Sequence, residues 1–326
     1  VTIATFLPNV GVFGGVRRFL ELGNAWSAAG HRVTLYHPGG STPGWLPYRG
    51  RLAPLTAAAS ERSDVAVCAD PHTYSAFRAH SAERHLYYCV LEKDSGAERA
   101  AADSRVVLAA NSGPLRKHLA GRTRRPVIDG IGGINVVQFQ PDPRQRQIDH
   151  LRVLVNGRRS RSKKGTDLIL AALAPLVGRV PEFEIVLFDT PGPQDPDPRE
   201  GAKLPGNARY VLGPTQNELV NLYQGADVVV VAERKAGWCN TAIEAMACGC
   251  AVACTPSGTT DFARDGTNAL VVPVRNAWFL RRAARRLLHD AELRLELSLR
   301  GPETAREWSW DRVADKLLRG LTAAAA

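Results

Sequence analysis

The chain has 326 residues, 44% of them hydrophobic and 23% charged. That is the composition of an ordinary globular protein, and the length predicts two domains that each bury a core. The formal net charge of +10 points to anionic partners, whether phosphorylated small molecules, nucleic acid or an anionic membrane face. No apolar run is long enough to span a bilayer, and the first residues read as a buried strand rather than a basic n-region, so the expected location is cytoplasmic.

Val1–Leu7 is an apolar, β-branched strand that stops at Pro8. Gly11, Gly14 and Gly15 then lead into a helix over Val16–Ala29, with Val16, Phe19, Leu20 and Trp26 at helical spacing and Gly30 placed as a C-cap. Arg32–Tyr36 is a second strand, so a right-handed parallel crossover is expected. The glycine loop is not the spaced G-x-G-x-x-G fingerprint, and His37 stands where that fingerprint calls for an acid. Asp64–Ala69, His85–Leu91 and Val106–Ala110 read as further strands, with a helix from near Ser112. His72 follows the third strand, beyond the carboxyl end of a parallel strand, where open sheets place ligands. The polar, proline-bearing stretch Phe139–Arg144 reads as a linker.

Beyond it, strands are predicted at Leu151–Asn156, Glu184–Phe188, Ala208–Leu212, Asp227–Ala232, Ala251–Cys254 and Ala269–Val272. Helices are predicted at Thr166–Val177, Gln216–Gln224, Asn276–His289 and Ala291–Arg300, and Thr190–Pro205 is a long surface loop. Two αβ-alternating halves imply an α/β protein of two Rossmann-like domains facing across a cleft. The expected division is 1–148, 149–305 and a closing amphipathic segment, 306–326.

The most informative stretch is Ala236–Gly249. It follows Val228–Val231, a β-branched run suited to a strand buried on both faces, and it opens an Ala/Met-rich helix. The first turn of such a helix has backbone N–H groups without intrahelical partners and the positive end of the helix dipole, so it suits a phosphate. Glu244 lies inside that helix, well placed to accept two hydrogen bonds from the vicinal diol of a ribose. The six cysteines lack C-x-x-C spacing and are expected as buried thiols, with no metal site. The basic clusters Arg122–Arg125, Arg158–Lys164 and Arg281–Arg286 are not interleaved with aromatics, which argues against a nucleic-acid platform. The helix from Trp278 to Leu288 leaves room for peripheral contact with anionic lipid at the inner face of a membrane.

Ala236–Gly249 resembles the E-G-F-P-N-T-x-x-E-A-M-A-C-G signature of the group 1 glycosyltransferases, retaining enzymes of family 4 with the two-domain GT-B fold. Gly14-Gly15-Val16-Arg17-Arg18 with Gly30–Thr34 is similar to that family's N-terminal loop and helix. Gly133-Ile134-Asn135 with Phe139 and Pro141 resembles its interdomain segment, and Gly157-Arg158 with Lys164–Ile169 resembles its G-R-x-x-x-K-G-x-x-x-L-I, with an insertion between the halves. Trp308–Leu318 is similar to its closing helix, which crosses back onto the first domain.

The resemblance implies transfer of a sugar from a nucleoside diphosphate sugar, UDP- or GDP-linked, to an acceptor, with retention and without metal or other cofactor. On matched positions Glu244 takes the ribose hydroxyls, Arg158 and Lys163 or Lys164 neutralise the diphosphate, and the backbone of Gly237, Trp238, Cys239, Asn240 and Thr241 holds phosphate and sugar. Gly14 and Gly15 approach the diphosphate from the other domain. The signature's first Glu is Ala236 here, with Glu233 as a nearby substitute, and its interdomain Asp is Asn135. A His found in many members after the fourth strand is absent, leaving His72, Glu92 and Asp94 as polar candidates near the acceptor. The alternatives are a nucleotide-sugar epimerase or phosphorylase of the same fold, and a nucleotide-sugar-binding partner protein of weak or no activity.

Overall fold

The computed structural model describes residues 1–91, 94–142, 150–192, 194–201, 203–273 and 275–323. The chain forms two compact units, Val1–Gly133 with Trp308–Ala326, and Ile134–Glu307.

The first unit is built on a seven-stranded sheet of β1 (Thr2–Phe6), β2 (Arg32–His37), β3 (Arg51–Pro54), β4 (Arg62–Cys68), β5 (Ser81–Cys89), β6 (Val106–Ala110) and β7 (Val127–Asp129). Every neighbouring pair is parallel, in the order β3-β2-β1-β4-β5-β6-β7. Its helices are α1 (Gly14–Ala28), α2 (Tyr74–Ala79), α3 (Ser95–Ala102) and α4 (Gly113–Thr123). The short edge strands β3 and β7 and the short helices α2 and α3 escape sequence reading. Elements of three to eight residues carry too few positions for a period to show.

The second unit carries β8 (Leu151–Asn156), β9 (Phe183–Asp189), β10 (Ala208–Leu212), β11 (Val228–Val231), β12 (Ala251–Cys254) and β13 (Leu270–Val271), all parallel, in the order β10-β9-β8-β11-β12-β13. Its helices are α5 (Thr166–Leu173), α6 (Gln216–Gln224), α7 (Asn240–Ala247), α8 (Ala277–His289) and α9 (Ala291–Arg306). Val228, Val229, Val230 and Val231 are all buried, as a strand covered on both faces requires. The α9 helix runs past the predicted stop at Arg300 and through Pro302. A Cβ on the neighbouring Gly301 would lie 2.7 Å from the Met246 carbonyl oxygen, so its absence lets α9 lie directly on α7.

The first unit ends at Gly133, not at residue 148. Phe139 packs edge-on against Tyr223, ring centroids 5.9 Å apart, and the Gln224 side-chain amide donates to the Gln140 carbonyl at 2.8 Å. The stretch read as a linker is therefore docked on the second unit as far as it is described; Pro143 and Arg144 lie outside the described residues.

The last helix, α10 (Trp310–Ala323), belongs to the first unit. Its buried face (Trp310, Val313, Ala314, Leu317, Leu321) completes the core that contains Phe19, Leu20 and Trp26 of α1. The Trp26 indole N–H donates to the Ala314 carbonyl at 3.1 Å. Arg18 is buried with its guanidinium over the rings of Tyr88 and Trp310, at 5.4 and 5.0 Å, and it donates to the Tyr88 hydroxyl and the Gly132 carbonyl. Gly133 has φ +123°, and a Cβ on it would run into the Trp310 ring. Trp310→Ala removes the ring that Arg18 and Gly133 are fitted to. The expected cost is about 3–5 kcal/mol, read as an earlier denaturant midpoint for the first unit.

Candidate functional site

In the second sheet the chain goes from β8 outward through β9 to β10, then returns to place β11 on the other side of β8. The carboxyl ends of β8 and β11 therefore flank a topological switch point, the usual ligand crevice of an open parallel sheet. Two segments follow those strand ends, Gly157–Gly165 after β8 and Ala232–Cys239 after β11, and they meet. The Arg234 N–H donates to the Lys163 carbonyl at 2.8 Å, and the Arg275 guanidinium donates to the Ala232 carbonyl at 2.7 Å. Gly165 has φ +75°, and a Cβ there would stand 2.5 Å from the Ala232 oxygen.

The contact positions the lysines. Lys163 is exposed, whereas the Lys164 ammonium forms an ion pair with Glu233, a carboxylate that is 7% exposed. Desolvation works against the Lys164 charge, but Glu233 together with the nearby Cys239 and Glu244 outweighs it, so the ammonium's pKa is raised above 10.5. Sequence reading treats Glu233 as a stand-in for the carboxylate missing at Ala236. Here Glu233 is the counter-ion of Lys164, and the Ala236 N–H donates to the Ser257 hydroxyl at 2.8 Å.

Arg158 lies in the same turn, but carboxylates hold it. Its guanidinium donates to Asp195 at 3.1 Å and lies 3.8 Å from Asp189, while its buried Nε has no hydrogen-bond partner among the described residues. Burial raises the pKa of Asp189, and Arg158 opposes that shift. Arg159 pairs with Asp167 and donates to the carbonyls of Pro198 and Glu200. The loop after β9 is therefore fastened onto the basic turn. No spacing in the sequence announces these partners.

At the start of α7, Cys239 is the N-cap residue and gives no side-chain cap. Its own N–H donates to the Gly258 carbonyl at 2.9 Å, and the Ala242 N–H is aimed at its buried sulfur. The expected phosphate-binding backbone thus narrows: Cys239 is already bonded, whereas the N–H groups of Asn240 and Thr241 have no acceptor among the described residues. Trp238 packs on Phe262 with centroids 4.8 Å apart and walls the turn. Glu244, one turn in, is buried and accepts from the Tyr223 hydroxyl at 3.0 Å. Burial and then Glu244 push the Tyr223 phenol well above its usual value, which keeps it a donor. All six cysteines are free and buried.

In the first unit the switch point lies between β1 and β4. Gly14 and Gly15 form the first turn of α1 after β1, with open space beside Gly15, and His72 lies exposed after β4 with its N–H on the Asp70 carboxylate. Both thus stand at the carboxyl edge of the sheet. Asp94 instead caps α3 and accepts from the Tyr87 hydroxyl at 2.6 Å, and Glu92 lies outside the described residues. Asn135 closes a local turn by accepting from the Gln138 N–H.

The model of the glycosyl transferases of group 1 matches residues 150–290. This segment, less than half of the chain, is therefore similar to the group 1 glycosyltransferases. It holds Arg158, Lys164, Glu233 and Glu244, the residues grouped at the second switch point. The chain is similar to a D-inositol 3-phosphate glycosyltransferase of Saccharomonospora viridis, 29% identical over 204 residues, which are 57% of this chain and 47% of that protein. The chain spans less than half the length of the curated relatives it matches, 39% in the case of a Corynebacterium urealyticum protein of the same description. Among solved structures it is similar to the sucrose-phosphate synthase of Thermosynechococcus elongatus, with TM-score 0.78, 19% identity and 99% of both chains covered. It is also similar to Anabaena Alr3699/HepE in complex with UDP and glucose, with TM-score 0.77, 13% identity and 99% of both chains covered. The fold, two parallel-sheet α/β units, is that of the GT-B glycosyltransferases. Among the described residues no helix is long and apolar enough to cross a membrane.

Two outcomes follow for this domain. Gly165→Ala forces an L residue into a left-handed conformation against the Ala232 carbonyl and is expected to cost roughly 1–3 kcal/mol, read from a urea midpoint. The Lys164 pair contributes stability that is fully present below about pH 10.5 and lost as pH rises through the raised folded value. Glu233→Gln therefore lowers stability at neutral pH by about 1–3 kcal/mol and flattens the alkaline fall in melting temperature.

Proposed function

We propose that the chain transfers a sugar from a nucleoside diphosphate sugar to an acceptor, with retention at the anomeric carbon and without a metal. One observation carries the reading: Lys164, the amino end of α7 and Glu244 all stand at the switch point of one sheet, inside the segment similar to the group 1 enzymes. Breaking the sugar–phosphate bond develops negative charge on the leaving diphosphate and oxocarbenium character on the sugar. Lys164 and the free N–H groups of Asn240 and Thr241 suit that leaving charge, the term usually largest in such catalysis. Glu244 would exchange its Tyr223 contact for a ribose diol. UDP is the first donor nucleotide to try, in keeping with the UDP complex of the Anabaena neighbour; GDP is the second. The leaving phosphate itself would help deprotonate the acceptor.

A second reading, binding of a nucleotide sugar without turnover, is favoured by Ala236 and by the carboxylates already engaging Lys164 and Arg158. Incubation with UDP-, GDP-, dTDP- and ADP-sugars separates the two. On the first reading one nucleotide raises the melting temperature selectively, free sugar is released slowly without acceptor, and the first-formed sugar anomer, followed by NMR, retains the donor's configuration with EDTA present. Lys164→Ala is expected to lower kcat/KM by about 100-fold, and Glu244→Ala to raise the donor KM by about tenfold, the scale of one or two charge-assisted contacts. Binding without release under any condition supports the second reading. Inversion or loss of activity with EDTA overturns the first.

A further inference from the structure

Parallel strands gather their amino ends on one edge, and in the first unit that edge lies opposite the one holding Gly14, Gly15 and His72. The first residues of β1, β2, β3 and β4 line a cavity there of about 650 Å³. Its wall carries Arg32, Arg49, Arg51, Arg62 and His31 against a single carboxylate, Glu61. Glu61 is engaged within the wall, since it pairs with Arg51 and accepts from the Tyr36 hydroxyl at 2.8 Å.

The remaining cations are less committed. Among the described residues the guanidinium groups of Arg49 and Arg62 make no hydrogen bond or ion pair. Arg32 stands near Asp64, whose carboxylate already accepts the Thr2 N–H at 2.7 Å. The Ser27 hydroxyl, also on this wall, is buried without a partner among the described residues. None of the four arginines belongs to the buried core, so packing does not require their grouping. Like charges held together repel, and an occupant with several negative charges relieves that repulsion. Guanidinium forks match phosphate oxygens in pairs. The volume falls within the range of roughly 300–1,000 Å³ typical of small-molecule pockets and is too roomy for one phosphate.

We propose that this cavity is a second anion site of the protein, which takes a small molecule bearing several phosphate groups. At about 3.3 Å per residue, the five to seven residues of β1, β2 and β4 separate the two edges by roughly 15–20 Å. The occupant binds at a distance from the carboxyl edge and is not a reactant there.

Inorganic tripolyphosphate, which has no base or sugar, is the probe, titrated calorimetrically into the full chain and two variants. The wild type and K164Q both bind it, while R49Q/R62Q binds at least about tenfold more weakly with its own melting temperature unchanged. Wild-type binding weakens as salt is raised, because the site is open to solvent. Equal binding by R49Q/R62Q and the wild type, wild-type binding that K164Q abolishes, or no wild-type binding overturns the proposal. K164Q separates this site from the proposed donor site, so failure of one reading leaves the other standing.

Discussion

The parallel pairing of β8 with β11, Val153 beside Val228 and Val155 beside Val230, is the constraint on which the candidate site depends. It sets side by side two strand ends that are separated in the chain by the whole β9–α6 excursion. Only because they adjoin do the Lys164 ammonium and the Glu233 carboxylate meet. Val228, Val229, Val230 and Val231 are buried on both faces of that strand, so the pairing lies in the middle of the sheet's core.

Charge neutralisation is the second theme. A basic turn of five cations in seven residues, Arg158 to Lys164, would repel itself if it stood alone. Asp195 and Asp189 hold Arg158, Asp195 also reaches Arg161, Asp167 takes Arg159 and Glu233 takes Lys164. The site is thereby pre-ordered, and any diphosphate that binds there competes with fixed carboxylates for Lys164 and Arg158. That competition favours a ligand able to offer several anionic oxygens at once over a monovalent anion.

In the first unit the arginine that ends the glycine-led motif serves the architecture. Arg18, four residues after Gly14, is buried between Tyr88 and Trp310 and bonded to the Gly132 carbonyl. Its charge is spread over two ring faces and two oxygen acceptors, which makes burial of a guanidinium affordable. The return of α10 to this unit rests on that contact and on the positive φ of Gly132 and Gly133, which brings the backbone close under the Trp310 ring.

Much of this was legible in the residues themselves. The β-branched run Val228–Val231 requires a strand covered on both faces, and the alternation of strands and helices requires parallel α/β sheets. Ala236–Gly249 specifies a turn into a helix start with Glu244 one turn in. Local propensity and periodicity suffice for such features because they depend on neighbours in the chain. What only the tertiary structure decided is which groups remain available: Lys164 rather than Lys163 at the switch point, Arg158 held by Asp195, Cys239 bonded to Gly258, and the unit boundary at Gly133. Each of these depends on a partner far away in sequence, and the order of strands in the sheet, which no local pattern encodes, determines which distant partners meet.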